Sequence, residues 1–232
     1  MRTTFLDWYQ RMGRLGLRLL CLHLLWLAWT LRGGILLGTF PATAALYGVL
    51  RDDARHAARH PEEPPALTGL RARFGELWRR EFGAANRLGA ALACCWAILV
   101  LDRQVVERLD LGALGPVMAG GLTVAGVWLG LLTALAWPLQ SHFDEGARAL
   151  LRRALILTVA RPATAALAGV GVGVLLCVYY LVPGLVPVFG LAAPAALTTA
   201  VLWRSGVLAA RDAPVALAAA ETPRLRRQAV SD

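Results

Sequence analysis

Four histidines and four cysteines are the side chains of this 232-residue sequence best suited to metal binding or nucleophilic chemistry. Their spacing argues against both. His56 and His60, in HAARH, stand four residues apart, where two imidazoles on one helical face could share a zinc ion. The glutamate that would follow the first histidine of a zinc-protease helix is Ala57 here, and no third ligand is evident. The pair therefore reads as a solvated, basic helix end. Cys94 and Cys95 are adjacent, which is not a zinc spacing, and Cys21 and Cys177 lie singly in apolar stretches. All four read as small buried thiols without a disulfide framework. His23 sits mid-segment beside Trp26, where an ionisable group is a candidate site by default; the preferred reading is a neutral imidazole bonded to a neighbouring helix. The apolar segments contain no Asp or Glu, so neither a proton relay nor a cation-binding acid can be named. There is no P-loop, no Ser-His-Asp or Cys-His arrangement and no paired carboxylates in a plausible pocket. The expectation is a protein that is not an enzyme and carries no cofactor.

The elements that hold these residues are unusually apolar. Hydrophobic residues make up 57% of the chain, charged residues 17%, and the mean hydropathy is +0.55. A soluble domain keeps about a quarter of its residues charged. Apolar runs at 15–50, 88–101, 111–139 and 163–202 approach or exceed the roughly 20 residues that cross a bilayer core, and the first and last are long enough for two passes. The sequence predicts an integral membrane protein. Ala42-Thr43-Ala44 imitates a signal-peptide cleavage site, but the apolar stretch before it is too long and contains Arg32, so no cleavage is expected.

All 24 basic residues are arginine, the net charge is +9, and there is no lysine. The arginines serve membrane topology and lipid headgroups, with no nucleic acid implied. The linker 51–87 holds eight of them, 139–162 four, and the region from Arg204 onward five, while 102–113 holds two and 182–190 none. Rich segments belong in the cytoplasm. If 15–50 is a helical hairpin, Arg2, Arg11, Arg14 and Arg18 also lie inside, and the bias becomes 21 arginines against three. Arg32-Gly33-Gly34 supplies a turn, and Pro41 suits the first turn of a second helix. Both termini are therefore expected in the cytoplasm, and the hairpin either spans fully or is re-entrant.

The fold class expected is all-α, a polytopic membrane helix bundle of five to six transmembrane helices plus cytoplasmic amphipathic helices. Residues 1–208 form one membrane domain: hairpin 15–50, basic amphipathic segment 70–87, and spans at about 88–104, 113–138, 163–181 and 187–204. Residues 209–232 read as a disordered cytoplasmic tail. Residues 1–14 set Phe5, Trp8, Tyr9 and Met12 beside arginines, an interfacial start. In 70–87, Leu70, Phe74, Leu77, Trp78 and Phe82 form one face, and Arg71, Glu76, Arg79 and Arg80 the other. A similar lead-in at 143–160 has Asp144 as N-cap candidate and Asp144, Arg148 and Arg152 at four-residue intervals. Gly120, Gly121, Gly126 and Gly130, then Gly169, Gly171 and Gly173, would allow close helix approach. PATAAL occurs at 41–46 and 162–167, in contexts that are not equivalent.

GTFPATAALYGVLRD, preceded by HLLWLAW and followed by FGELWRREFGAANRLG, resembles the YesL family of bacterial membrane proteins. The resemblance covers residues 10–205, with its specific part at 36–90. It carries over Gly38, Pro41, Ala42, Thr43, Ala45 and Tyr47 as signature positions. A structural role is expected for them: Gly38 giving the turn, Pro41 starting the helix, and Thr43 bonding backbone left free near the bend. The resemblance implies no catalytic residue. It implies an accessory role near carbohydrate uptake, in the bacterial inner membrane, with a sugar ABC-transporter permease or another membrane subunit as partner beside the lipid bilayer. Arg71, Trp78, Arg79, Arg80, Arg148, Arg152 and Arg153 are the interaction surface expected from the two basic segments. The competing expectation is a small-solute transporter or facilitator that uses a break near Pro41 as its binding point.

Overall fold

The computed structural model describes residues 2–61, 63–109, 112, 114–143 and 145–208, without the side chains of residues 2–8 and Arg11. The expected tail at 209–232 and the Asp144 cap lie outside the described residues. Eight α-helices and no strand occur among the described residues. They are α1 (Arg2–Arg32), α2 (Leu36–Arg59), α3 (Leu70–Arg108), α4 (Leu114–His142), α5 (Ala147–Ala160), α6 (Pro162–Leu181), α7 (Val186–Phe189) and α8 (Ala192–Arg204).

The hairpin turns where the glycines predicted, at Gly33 to Ile35. Gly34 has φ 74° and Ile35 φ 61°, a left-handed pair that reverses the chain in three residues. A β-branched residue there is strained; the Ile35 amide, donating to the Thr30 carbonyl at 3.0 Å, holds it in place. Helix α2 then starts at Leu36, so Pro41 lies inside the helix and Gly38 is helical. This corrects the expectation that Gly38 makes the turn and Pro41 opens the helix. Gly38 has a different use: a Cβ there would overlap the Thr30 carbonyl and Gly33, so it sets how closely the two arms approach.

Residues 41–50 of α2 are all buried, ten in succession. A helix enclosed on every side must be surrounded by other helices, and α2 packs against α1, α3, α4 and α8. It runs antiparallel to α1, with Arg18 opposite Asp53 and Trp26 opposite Thr43. It also runs antiparallel to α3, with Asp52 opposite Arg73 and Phe40 against Gly89. Leu22, Leu46, Phe74, Leu88 and Ala195 belong to the core built around it. A second core joins Leu135 and Leu139 of α4, Leu150 of α5, Ala165 and Ala168 of α6, and Leu202 of α8.

The expected segments 70–87 and 88–104 are one helix. α3 has 39 residues, about 58 Å at 1.5 Å per residue, well beyond a bilayer core of about 30 Å. Its first half lays Leu70, Phe74 and Leu77 inward and leaves Arg71, Glu76, Arg79 and Arg80 exposed, as its periodicity predicts. α4 continues through Pro138, and α5 starts after Gly146. The segment expected as one span at 187–204 is broken: Pro183–Phe189 meets Ala192–Arg204 at 70°, with Gly190 at the bend. Three of the seven singled-out glycines mediate close contacts. Gly126, Gly169 and Gly171 face Leu99, Leu131 and Leu197, whereas Gly120, Gly121, Gly130 and Gly173 would meet nothing within 4 Å.

Four helical stretches among the described residues are long and apolar enough to cross a membrane: Met12–Arg32, α3, α4 and α6. The bent pair makes a fifth. α2 is not among them, because its apolar part, 36–50, gives way to Arg51-Asp52-Asp53; residues 41–50 are enclosed by the helices around them, while Leu36 and Leu37 at its start are exposed. The cysteines differ from expectation. Cys94, Cys95 and Cys177 are exposed and Cys21 is half-buried, so these thiols lie at the outer surface of the bundle rather than in its core.

Candidate functional site: the enclosed signature helix and its ion-paired end

Each signature residue has a packing partner. Pro41, lacking an N–H, leaves the Leu37 carbonyl without its helical donor. Asn86 of α3 fills the gap: its Nδ2 donates to that carbonyl at 3.2 Å and to the Phe82 carbonyl at 2.8 Å. The chain's one asparagine sits where α2 needs a donor. Thr43, expected to serve the free backbone, instead donates to the Thr39 carbonyl at 2.8 Å and accepts from Trp26 Nε1 at 3.1 Å, joining α1 to α2. Ala42 and Ala45 are completely buried, small enough to let neighbouring helices close in. Tyr47 reaches α8, its hydroxyl 3.2 Å from that of Thr198. The Thr198 hydroxyl has the carbonyls of Pro194 and Ala195 within 3.0 Å, so the Tyr47 O–H is the donor between the two.

Beyond Leu50 the buried run ends in charges. Arg51, Asp52 and Asp53 fasten three other helices. Arg18 of α1 grips Asp53 with two bonds, at 2.6 and 3.0 Å, and donates a third to the Ala66 carbonyl at 2.7 Å. Asp52 receives Arg73 of α3 at 2.8 and 3.1 Å and Arg51 at 3.1 Å. Arg51 also donates to the Ser141 carbonyl at the end of α4. Burial pushes the Asp53 carboxyl above its ordinary 3.8, and the Arg18 bond and charge pull in the other direction without cancelling it. The Asp52 bond holds Arg73 above the usual arginine value. Farther along, Arg161 at the start of α6 donates to the Ser205 carbonyl after α8 at 2.8 Å. The middle of α1, the end of α2, the start of α3 and the end of α4 are thus tied together at one arginine-rich end of the bundle.

Beside that end lies a half-open cleft of about 510 Å3, bounded by α1, α2, α8 and the proline-rich loop around Pro61–Leu67. Leu15, Leu19, Leu50 and Leu67 give it apolar walls, and Arg14, Arg18, Asp53 and Glu63 give it charge.

The residues expected to form an interaction surface divide. Arg79, Arg148 and Arg152 are exposed and make no ion pair or hydrogen bond among the described residues. Arg71 lies over the Trp29 ring at 5.9 Å. Arg80 is 3.5 Å from Glu81, and Arg153 holds Glu145 at 2.5 Å and covers the Phe143 ring at 4.3 Å. Trp78 is half-buried: it packs on the central core, edge-on to Phe82, with its Nε1 buried and unpartnered among the described residues. His56 and His60 bring their rings to 5.2 Å, and no group of three or more potential metal ligands exists among the described residues. His23 is buried, stacked on Trp26 and pressed against Gly190, with Nδ1 lacking the interhelical bond expected of it. Gln140, whose two amide atoms are buried without partners, escaped the sequence reading. So did the Arg18–Asp53 and Arg73–Asp52 pairs, although the charge switch in LYGVLRDD was visible.

Fold and site define a polytopic helical membrane protein organised around an enclosed, proline-containing helix. A family model described as "Protein of unknown function, DUF624" matches residues 19–103, which contain the turn of the hairpin, all of α2 with Asp52 and Asp53, and α3 up to Arg103. Three proteins of Bacillus subtilis (strain 168), each described as uncharacterized, are similar over most of their length. YteU is 30% identical over 72% of this chain and 71% of its own, and YesL 28% over 71% and 73%. YesV is 27% identical over 82% of this chain and 87% of its own. The chain belongs to this YesL-like, DUF624 family. No solved structure matches it.

Proposed function

We propose that the protein is a non-enzymatic accessory subunit of the bacterial inner membrane, with both termini in the cytoplasm. It docks another membrane protein through the arginine face of α3 and α5. The observation that carries this reading is the enclosure of the signature: 41–50 are buried on all sides, so their chemistry is spent on packing. On α3 and α5 the exposed charge includes Arg79, Arg148 and Arg152, three guanidinium groups without partners among the described residues. Exposed arginines suit bidentate recognition of carboxylates on a partner. A carbohydrate ABC-transporter permease is the partner that the family resemblance suggests.

The test is a mild-detergent pull-down of the tagged protein from its native host, read by mass spectrometry. The reading expects a transporter subunit in stoichiometric amount, lost when Arg79, Arg148 and Arg152 are changed together to Glu. Recovery of the protein alone would overturn it. A second reading, a small-solute facilitator, draws on the helix break at Gly190 and the buried His23 imidazole against it. Broken helices recur at transporter binding sites. Solute flux in liposomes containing only this protein, abolished by His23→Leu, would favour it.

A further inference from the structure

The cleft at the arginine-rich end has a charge arrangement that the docking reading does not use. We infer that it binds one zwitterionic phospholipid, with an ethanolamine-type headgroup, from the leaflet that this end of the bundle faces. Two of its four charged residues neutralise each other, since Arg18 and Asp53 are joined by two hydrogen bonds. The other two, Arg14 and Glu63, are exposed and make no ion pair or side-chain hydrogen bond among the described residues. The cleft therefore offers one free guanidinium and one free carboxylate.

That pair is complementary to a phosphate and an ammonium on one headgroup. An anionic headgroup would satisfy Arg14 and leave Glu63 opposed. Guanidinium–phosphate and ammonium–carboxylate bonds are charge-assisted and about twice as strong as neutral ones. The walls suit the rest of the molecule: Leu15, Leu19 and Leu67 are apolar, and about 510 Å3 falls within the roughly 300–1,000 Å3 of small-molecule sites. The depth is also right. From Arg14 to Arg32, the exposed arginine closing α1, an 18-residue rise spans about 27 Å, close to the thickness of a hydrocarbon core. Arg14 therefore stands at headgroup level, with the apolar walls below it.

The test uses the full chain, stripped of lipid in detergent and titrated with dioleoyl phosphatidylethanolamine, phosphatidylcholine or phosphatidylglycerol, with bound lipid counted by native mass spectrometry. The expected result is one ethanolamine lipid per chain, held about tenfold more tightly than phosphatidylglycerol and more tightly than phosphatidylcholine, whose bulky quaternary ammonium cannot donate to Glu63. Arg14→Gln and Glu63→Gln should each remove most of that preference, by about fivefold or more. Both should keep the wild-type melting temperature, because neither side chain is paired in the fold. Equal or tighter binding of phosphatidylglycerol, or unchanged selectivity in both variants, would overturn the inference. So would glycerophosphoethanolamine binding as tightly as the whole lipid, which would make the ligand a soluble headgroup.

Discussion

Replacing Asn86 with leucine removes the side chain that reaches the carbonyl left open by Pro41. Leucine keeps the branched outline of asparagine at a larger volume, which a half-buried site can let out toward its open side, so the loss is dominated by hydrogen bonds. The Asn86 bond to Leu37 is 3.2 Å long and the donor is shared with the Phe82 carbonyl, so the pair of bonds falls inside the range of its class and below its strongest members. Interhelical hydrogen bonds within membrane proteins average about 0.6 kcal/mol and reach about 1.7; Asn86→Leu should cost about 1 kcal/mol. The diagnostic is the background. Pro41→Ala returns an N–H to position 41, which can bond the Leu37 carbonyl within α2. In that background Asn86→Leu should cost less than about 0.3 kcal/mol, a coupling of about 0.7 kcal/mol or more. Unfolding of the four proteins in mixed micelles, followed by tryptophan fluorescence, measures the cycle. Additive effects would show that Asn86 does not serve the proline, and the account of why α2 tolerates Pro41 would fail.

Gly38→Ala and Gly89→Ala should each destabilise by more than about 2 kcal/mol, because the added methyl meets the Thr30 carbonyl in one and the Phe40 ring in the other. Gly173→Ala, with open space around it, should be close to neutral by the same unfolding assay. Burial raises the Asp53 carboxyl above 3.8, so its contribution is fullest below that pH and declines as pH rises through the raised value. Melting curves of wild type and Asp53→Asn should therefore show the wild type losing ground over the window just above pH 3.8 and a constant difference at higher pH. A wild type that gained ground there would mean that the Arg18 pair outweighs burial. In membrane vesicles, Cys94, Cys95 and Cys177 should resist charged maleimides and become reactive once the membrane is dissolved in detergent, since they are exposed within apolar helices. Rapid reaction with a charged reagent, read by mass spectrometry, would place α3 and α6 outside the bilayer.

The sequence by itself determined the class of the protein and the position of most helices. Apolar runs of bilayer length are a local property, and so are the turn at Gly33-Gly34 and the amphipathic face formed by Leu70, Phe74 and Leu77. The family was legible for the same reason, in the unbroken string GTFPATAALYGVLRD. What the sequence could not assign was the environment of each apolar residue. Hydropathy scores lipid and protein interior alike, so Pro41–Leu50, which is enclosed, and Cys94-Cys95, which face outward, looked equivalent. Nor could it pair charges 35 or 21 positions apart, as Arg18 with Asp53 and Asp52 with Arg73 are. Those partners are chosen by the antiparallel register of α1, α2 and α3, which close contacts such as that at Gly38 set. The same register carries Asn86 to the one carbonyl that Pro41 leaves open, and only the tertiary structure decided that.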